Sequence, residues 1–222
     1  MATNSPDTVL RFKHSHLYSQ SKMGPLHLVT LQLIIYAYSA YGGPINDDQE
    51  LKPCPKIKPF KKVNIDQLLG KWFLAIMVIE SEHEEFVEDG VCIHGELLRY
   101  NKTTLRQVWN IDNPLLIGDH SAVIELPTIE NEVGIWSIQS PLGGDITATI
   151  IDADPDTHLI LAFCGKKGSD LLHMWTVVVT RQNGISAPES LRLSAILVKH
   201  GYNPMASKII SWKNCPIYTM IP

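Results

Sequence analysis

The sequence has no excess of positive charge. Its 222 residues include 19 Lys and Arg against 23 Asp and Glu, which gives a formal net charge of −4 and an isoelectric point near 6.1. Nucleic-acid binding calls for a basic surface, so we expect no nucleic-acid partner. The sequence also lacks the G-x-S-x-G, H-E-x-x-H, G-x-G-x-x-G and P-loop motifs. We therefore predict neither an enzyme nor a bound cofactor.

The sequence also lacks a run long enough to cross a membrane, which takes about 20 apolar residues. A shorter apolar run, Leu26–Tyr38, follows a polar leader and ends at the alternating small residues of Ala37-Tyr38-Ser39. This pattern predicts that residues 1–40 are a removed signal peptide and that 41–222 form one domain outside the cell. An uncleaved membrane anchor is the alternative, and Met23 is an alternative start.

Cysteine is scarce but even in number. Four cysteines in a secreted chain predict two disulfides, with three possible connectivities. Metal binding is the alternative, but no C-x-x-C or H-x₃-H spacing occurs, so no metal site is predicted. Asn101-Lys102-Thr103 is the only N-x-[ST] sequon and falls at an expected hairpin turn, so we expect Asn101 to be glycosylated.

The chain contains a series of short β-rich runs separated by Gly, Pro, Asp and Asn clusters, one of which is Pro127-Thr128. The runs are Trp72–Ile79, Val91–Tyr100, Leu105–Ile111, Ser121–Leu126, Val133–Ile138, Ile146–Ile151, His158–Phe163 and Leu172–Thr180. Their spacing predicts an antiparallel sandwich or barrel. A closed barrel of eight strands has room inside for side chains and one small ligand. Before them, residues 41–63 read as an extended arm and Asn64–Leu69 as one helical turn.

One helix follows the strands. Ser186-Ala187-Pro188-Glu189 has the form of a capping box with Pro in the first turn, and Gly201 ends the segment. Leu191, Ala195 and Val198 recur at helical spacing and are predicted to cover the outside of the barrel. A last short strand, Lys208–Trp212, precedes the final cysteine.

Three features in this order resemble the lipocalins: the strand opening Gly70-Lys71-Trp72, the strand ending Thr180-Arg181, and the cysteines Cys54, Cys92, Cys164 and Cys215. In detail, Cys54-Pro55, Gly70-Lys71-Trp72-Phe73, Asp89-Gly90-Val91-Cys92, the segment ending in Cys164 and the final Cys215 resemble apolipoprotein D and the insect Lazarillo proteins. The resemblance implies an all-β, eight-stranded antiparallel up-and-down barrel with one C-terminal helix outside. It also implies the disulfides Cys54–Cys164 and Cys92–Cys215. The sequence departs from the family at Lys71, at Phe73 and at Ala153-Asp154-Pro155, where Thr-Asp-Tyr is usual.

The resemblance also implies a closed end of the barrel, its floor, formed by Gly70, Trp72 and Arg181, where a cation–π contact between Trp72 and Arg181 is expected. Strand alternation then predicts which side chains lie above this floor. The predicted ligand-binding side chains are those on the same strand faces: Leu74, Ile76, Val78, His173, Trp175 and Val177. The alternative is that these side chains fill a solid core.

These features predict a secreted lipocalin that binds and transports a small hydrophobic ligand such as a fatty acid, sterol, retinoid or tetrapyrrole. His94, His158 and His173 lie in strands; two of them could face a tetrapyrrole, or each could be a hydrogen-bonded surface group. The alternative function is an extracellular regulator that docks on a protein or receptor through its barrel mouth or surface loops. The acidic run between Glu80 and Asp89, otherwise a solvated loop, and Ala153-Asp154-Pro155 would be its surfaces. An isomerase would need a free thiol at Cys92.

Overall fold

Eight antiparallel strands follow one another in the computed structural model, which describes residues 52–79, 91–112, 121–139, 144–212 and Cys215. The strands are β1 (Gly70–Val78), β2 (Cys92–Arg99), β3 (Thr104–Asp112), β4 (Ser121–Glu132), β5 (Ile135–Gln139), β6 (Asp145–Asp154), β7 (His158–Lys167) and β8 (Asp170–Thr180). A helix, α1 (Ala187–Lys199), and a short strand, β9 (Ser207–Ile209), complete the order, with 3₁₀ turns at Ile65–Leu68 and Pro204–Ala206. The predicted signal peptide and the acidic run lie outside the described residues.

The sheet closes on itself through β1. Each strand pairs with the next from β2 to β8, and β1 pairs with β8 on one edge and β2 on the other. The β1–β2 pairing covers only Gly70 to Phe73; further along, β9 pairs with Ile76 to Val78 on that same edge. The predicted all-β, up-and-down barrel of eight strands is therefore confirmed, with β9 as an added ninth strand.

Hydrophobic side chains form two clusters, one on each side of the barrel wall. The interior cluster includes Trp72, Leu97, Trp136 and Leu161. The second cluster lies between the outer face of β1, β6, β7 and β8 and the helix α1. Packing of the helix on the outside of the barrel is thus confirmed.

The buried face of α1 is not the predicted one. Leu193 and Leu197 are fully buried in the outer cluster, whereas Leu191 is 73% exposed and Val198 is 49% exposed. Both sets of residues satisfy helical spacing, and the prediction selected the solvent-facing one. Ser186 caps the helix as expected, since its side chain accepts a hydrogen bond from the backbone N–H of Glu189 at 3.4 Å.

Pro127-Thr128 was predicted to be a turn, but it lies inside β4. The pairing of β4 with β3 continues through Arg106 and Pro127, while pairing with β5 begins only at Thr128. Proline is accommodated where a strand has an unpaired edge, because its missing N–H then removes no ladder hydrogen bond. The strand therefore runs six residues beyond the predicted end at Leu126, to Glu132.

Two disulfides attach the ends of the domain to the barrel. Cys54 is bonded to Cys164 in β7, and Cys92 in β2 is bonded to Cys215. Both pairings are those implied by the resemblance, and all four cysteines of the sequence are used. Within the described ranges, no helix is long and apolar enough to span a membrane.

Candidate functional site: the barrel interior

One end of the barrel is closed around Arg181, which follows β8. The guanidinium carbon of Arg181 lies 3.6 Å from the centroid of the Trp72 ring. Its Nε donates to the Pro155 carbonyl at 2.8 Å, Nη1 to Lys71 at 2.9 Å and Nη2 to Gln67 at 3.1 Å. Burial lowers the pKa of Arg181 while Asp156 acts in the opposite sense; arginine nevertheless remains charged. We call this end the floor.

The 3₁₀ turn before β1 completes the floor. Asn64 caps it, and its buried side chains Ile65 and Leu68 join the interior cluster. The indole N–H of Trp72 donates to the Leu68 carbonyl at 2.7 Å. Gly70, between the turn and Trp72, has φ +95°, a left-handed conformation that favours glycine. The structure therefore brings together all three predicted floor residues.

The interior next to the floor is closely packed. Trp72, Leu97, Leu105 and Trp136 are at most 1% exposed. A buried hydrogen-bond network leads from this region to the middle of the barrel: Gln107 donates from Nε2 to Thr128 Oγ1 at 2.9 Å and accepts from Trp109 Nε1 at 3.1 Å. Because these polar groups satisfy one another, their burial carries little penalty. The sequence analysis did not predict these hydrogen bonds, although a Gln and a Thr at inward positions of neighbouring strands indicate such a contact.

The interior at the opposite end, where β1 ends and β2 begins, is apolar but only partly buried. We call this end the mouth. A set of half-buried side chains packs against the interior cluster between this end and the middle of the strands, and we call it the mouth wall: Met77, Ile79, Ile93, Trp109, Leu126, Ile146, Met174 and Trp175. Burial of the interior side chains therefore decreases along the barrel. They are closely packed at the floor, whereas toward the mouth part of their apolar surface is accessible to solvent.

Glycine at position 95 sets the place of one wall residue. Gly95 lies in β2 between Trp72 of β1 and Trp109 of β3 in the sheet register. A Cβ on Gly95 would lie 2.3 Å from Cε3 of Trp109 and 2.6 Å from the Val108 carbonyl oxygen. The Trp109 indole therefore lies directly over the glycine, which no other residue would allow.

Three of the predicted ligand-binding residues do not face the interior. Ile76 and Val78 pack in the outer cluster, because β1 has a bulge between Leu74 and Ile76 that turns Ala75 and Ile76 to the same side. Alternation counted from Trp72 is therefore wrong beyond the bulge, and Met77 and Ile79 face inward instead.

His173 is the third, and a bulge in β8 is again the cause. Its neighbours Met174 and Trp175 both pack against the interior cluster, and the ladder to β7 shifts between Phe163 and Cys164. His173 is buried outside the barrel, with Nε2 2.9 Å from Thr176 Oγ1 and its ring 5.8 Å from that of Tyr202. Of the predicted set, Leu74, Val177 and Trp175 face the interior.

The other strand histidines also lie outside the barrel. His94 stacks near Phe73 and pairs with Asp112 at 3.3 Å. His158 is buried beside α1. Desolvation lowers the pKa of His158, the positive charge of Arg192 lowers it further, and Asp152 acts in the opposite direction. None of the three strand histidines is therefore placed to bind a tetrapyrrole inside. No group of metal-binding side chains occurs in the described ranges.

Cys92 is disulfide-bonded, so the free thiol that an isomerase reading required is not present. The acidic run lies outside the described residues. The Ala153-Asp154-Pro155 turn is part of the floor, where Asp154 accepts from the backbone N–H groups of Asp156 and Thr157 at 3.0 Å each.

No family model matches the chain. No curated protein matches it either. Among solved structures, the chain is similar to that described as "The Siderocalin Ex-FABP functions through dual ligand specificities", with 11% identity and a TM-score of 0.50 over 65% of this chain and 93% of that one. At this identity the similarity concerns the fold alone. With the closed eight-stranded barrel and the helix outside it, the chain has the lipocalin fold.

Proposed function

We propose that this protein is a secreted lipocalin that binds and transports a small hydrophobic ligand at the mouth end of its barrel. The observation that carries this proposal is the mouth wall. Side chains such as Trp109, Trp175 and Ile93 face the interior yet keep part of their surface accessible. Apolar surface left in water is surface that a hydrophobic ligand can cover with a gain in free energy.

The packed floor limits the depth of the proposed site. Burial of about eight methylene equivalents at the mouth would contribute roughly 6 kcal/mol at about 0.8 kcal/mol each. Association costs roughly 4–15 kcal/mol, and the cost is higher for a flexible chain than for a rigid ring system, because the chain loses more conformational freedom. Among the ligand classes considered, this favours compact sterols, retinoids or tetrapyrroles over a fully inserted fatty acid chain.

Secretion and the absence of catalysis form part of the proposal. Two disulfides fit an oxidising compartment. The siderocalin with a similar fold is described as having dual ligand specificities. Membership in the apolipoprotein D and Lazarillo group rests on the resemblance of Cys54-Pro55, Gly70-Lys71-Trp72-Phe73 and Asp89-Gly90-Val91-Cys92. The pairings that this resemblance implies, Cys54–Cys164 and Cys92–Cys215, are both formed.

The first experiment is native mass spectrometry of the protein secreted from eukaryotic cells, followed by organic extraction. We expect a discrete added mass that extracts as a lipid or pigment. Titration of the ligand classes against tryptophan fluorescence then gives affinities. Trp175→Arg places a charge in the mouth wall and should lower affinity at least tenfold, whereas Leu191→Arg on the exposed face of α1 should not.

A second variant covers the case in which the charged one does not fold. Trp175→Ala removes wall area without adding charge, and should weaken binding while keeping the native circular dichroism spectrum. If the secreted protein carries no ligand and no compound in the panel quenches its fluorescence, the transport proposal fails. Activity would then have to be sought in docking on another protein.

A further inference from the structure

A basic segment crosses the outside of this acidic protein. Five lysines lie between Lys52 and Lys62, and no carboxylate occurs between Glu50 and Asp66. The chain as a whole has a net charge of −4. We call residues 52–62 the basic arm. Such a local reversal of sign gives the arm a field that differs from that of the rest of the surface.

The basic arm is fixed to the barrel at both ends. At one end Cys54 is bonded to Cys164, and its backbone N–H donates to the Leu171 carbonyl at 2.8 Å. At the other end the Phe60 N–H donates to the Ile150 carbonyl at 2.9 Å. The arm therefore holds its shape without a partner, so that binding need not order it.

The lysines of the arm face solvent, and two of its apolar side chains face the barrel. Ile57 packs in the outer cluster and Phe60 packs against the interior cluster. Lys56, Lys58 and Lys62 are exposed and form no ion pair in the part of the chain that the structure describes. The arm thus presents its charges outward and its apolar side chains inward.

Two further contacts define the surroundings of the arm. Lys61 lies 3.9 Å from Glu132, and both side chains are more than half exposed, so this pair is weak in water. Lys166, also exposed, follows Cys164 in β7 at the end where the arm begins. It pairs across the ladder with Leu171, which accepts the Cys54 hydrogen bond. The line of positive charge therefore extends one lysine beyond the arm.

We propose that the basic arm binds a linear sulfated polysaccharide of the cell surface or extracellular matrix. Fully extended chain spans about 3.3 Å per residue, and the Ile57 N–H donates back to the Pro55 carbonyl at 2.9 Å, so Lys52 to Lys62 form a row shorter than about 33 Å. A row of fixed positive charges is complementary to a linear polyanion. A membrane surface is a poorer match, because the apolar side chains that would insert into it are turned toward the barrel. The proposal is independent of ligand binding in the barrel.

The test is binding of heparin, the probe for sulfated polysaccharide, to the full secreted protein and to Lys56→Gln/Lys58→Gln/Lys62→Gln. A lysine near an anionic surface contributes about fivefold to affinity at low salt, so the triple variant should bind about a hundredfold more weakly. Its affinity should also depend less steeply on salt, because fewer ions are displaced.

The matched control removes the same charge elsewhere. Lys71, Lys102 and Lys199 are also exposed and lie off the arm, and Lys71→Gln/Lys102→Gln/Lys199→Gln should bind heparin within about threefold of the natural protein. An equal loss in both triple variants would overturn the proposal. So would absence of heparin binding at physiological salt, or tighter binding to phosphatidylserine vesicles or to duplex DNA than to heparin.

Discussion

Replacement of Arg181 tests whether the floor stabilises the barrel. The guanidinium donates three hydrogen bonds, to the carbonyls of Pro155, Lys71 and Gln67, and lies over Trp72. These partners belong to the β6–β7 turn, to β1 and to the 3₁₀ turn, so one side chain joins three separate segments. Arg181→Met keeps much of the apolar stem and removes every one of these polar contacts.

The magnitude follows from the exposure of the site. Since Arg181 is only partly buried, the carbonyls that it leaves can be solvated, and each bond is worth about 1 kcal/mol net. A partly exposed cation–π contact adds about 0.5–1 kcal/mol. Arg181→Met should therefore lower the free energy of unfolding by roughly 3–4 kcal/mol. Arg181→Lys keeps the charge over the ring and one carbonyl bond, and should cost about half as much.

The assay is urea unfolding with the disulfides intact, followed by tryptophan fluorescence. Arg106→Met is the control: within the described residues the Arg106 side chain forms an exposed ion pair with Glu125 at 3.6 Å, and its replacement should change stability by less than about 1 kcal/mol. If Arg181→Met is no more destabilising than Arg106→Met, or if lysine restores full stability, the forked contact does not hold the floor together.

Three further predictions concern other parts of the molecule. Because burial lowers the pKa of His158, the unfolded chain binds a proton that the native state excludes, so the free energy of unfolding should fall as the pH drops below about 6.5, by up to about 1.4 kcal/mol per pH unit. Urea unfolding across this range should show a flatter slope for His158→Gln, and an unchanged slope would contradict the assignment. Gly95→Ala should cost about 1–3 kcal/mol and shift Trp109 fluorescence, because its Cβ would meet the indole at 2.3 Å; native stability would refute this. Asn101 is exposed in the β2–β3 turn, so the secreted protein should carry a glycan mass that Thr103→Ala removes and Thr103→Ser retains. A secreted protein without a glycan at Asn101 would contradict this prediction.

Much of the fold could be predicted because its signals are local. Gly, Pro and Asp clusters separate the strands, and Ser186 marks the start of α1. The disulfide pairings came from the resemblance, since four cysteines alone leave three connectivities open.

The direction in which strand residues face was harder to predict. β1 reads Trp-Phe-Leu-Ala-Ile-Met-Val, a continuous apolar run with no alternation to show which face is inside. The bulge after Leu74 therefore left no trace in the sequence, and neither did the shift that turns Met174 and Trp175 to the same side. Beyond each bulge, strand residues face the opposite side from the one that alternation predicts. Prediction of inward-facing residues was therefore least accurate at the mouth end of the site.

The misassigned strand residues and the misassigned helix face have one physical origin. The bulge in β1 places Ala75 and Ile76 together on the outer surface, and a bulge in β6 adds Ile151 there. These side chains form the apolar surface of the barrel on which Leu193 and Leu197 pack. The helix has two apolar stripes of similar spacing, and the one that is buried is the one that fits this surface. Because bulges in separate strands form the surface, the orientation of the helix depends on tertiary structure and cannot be read from the periodicity of the helix itself.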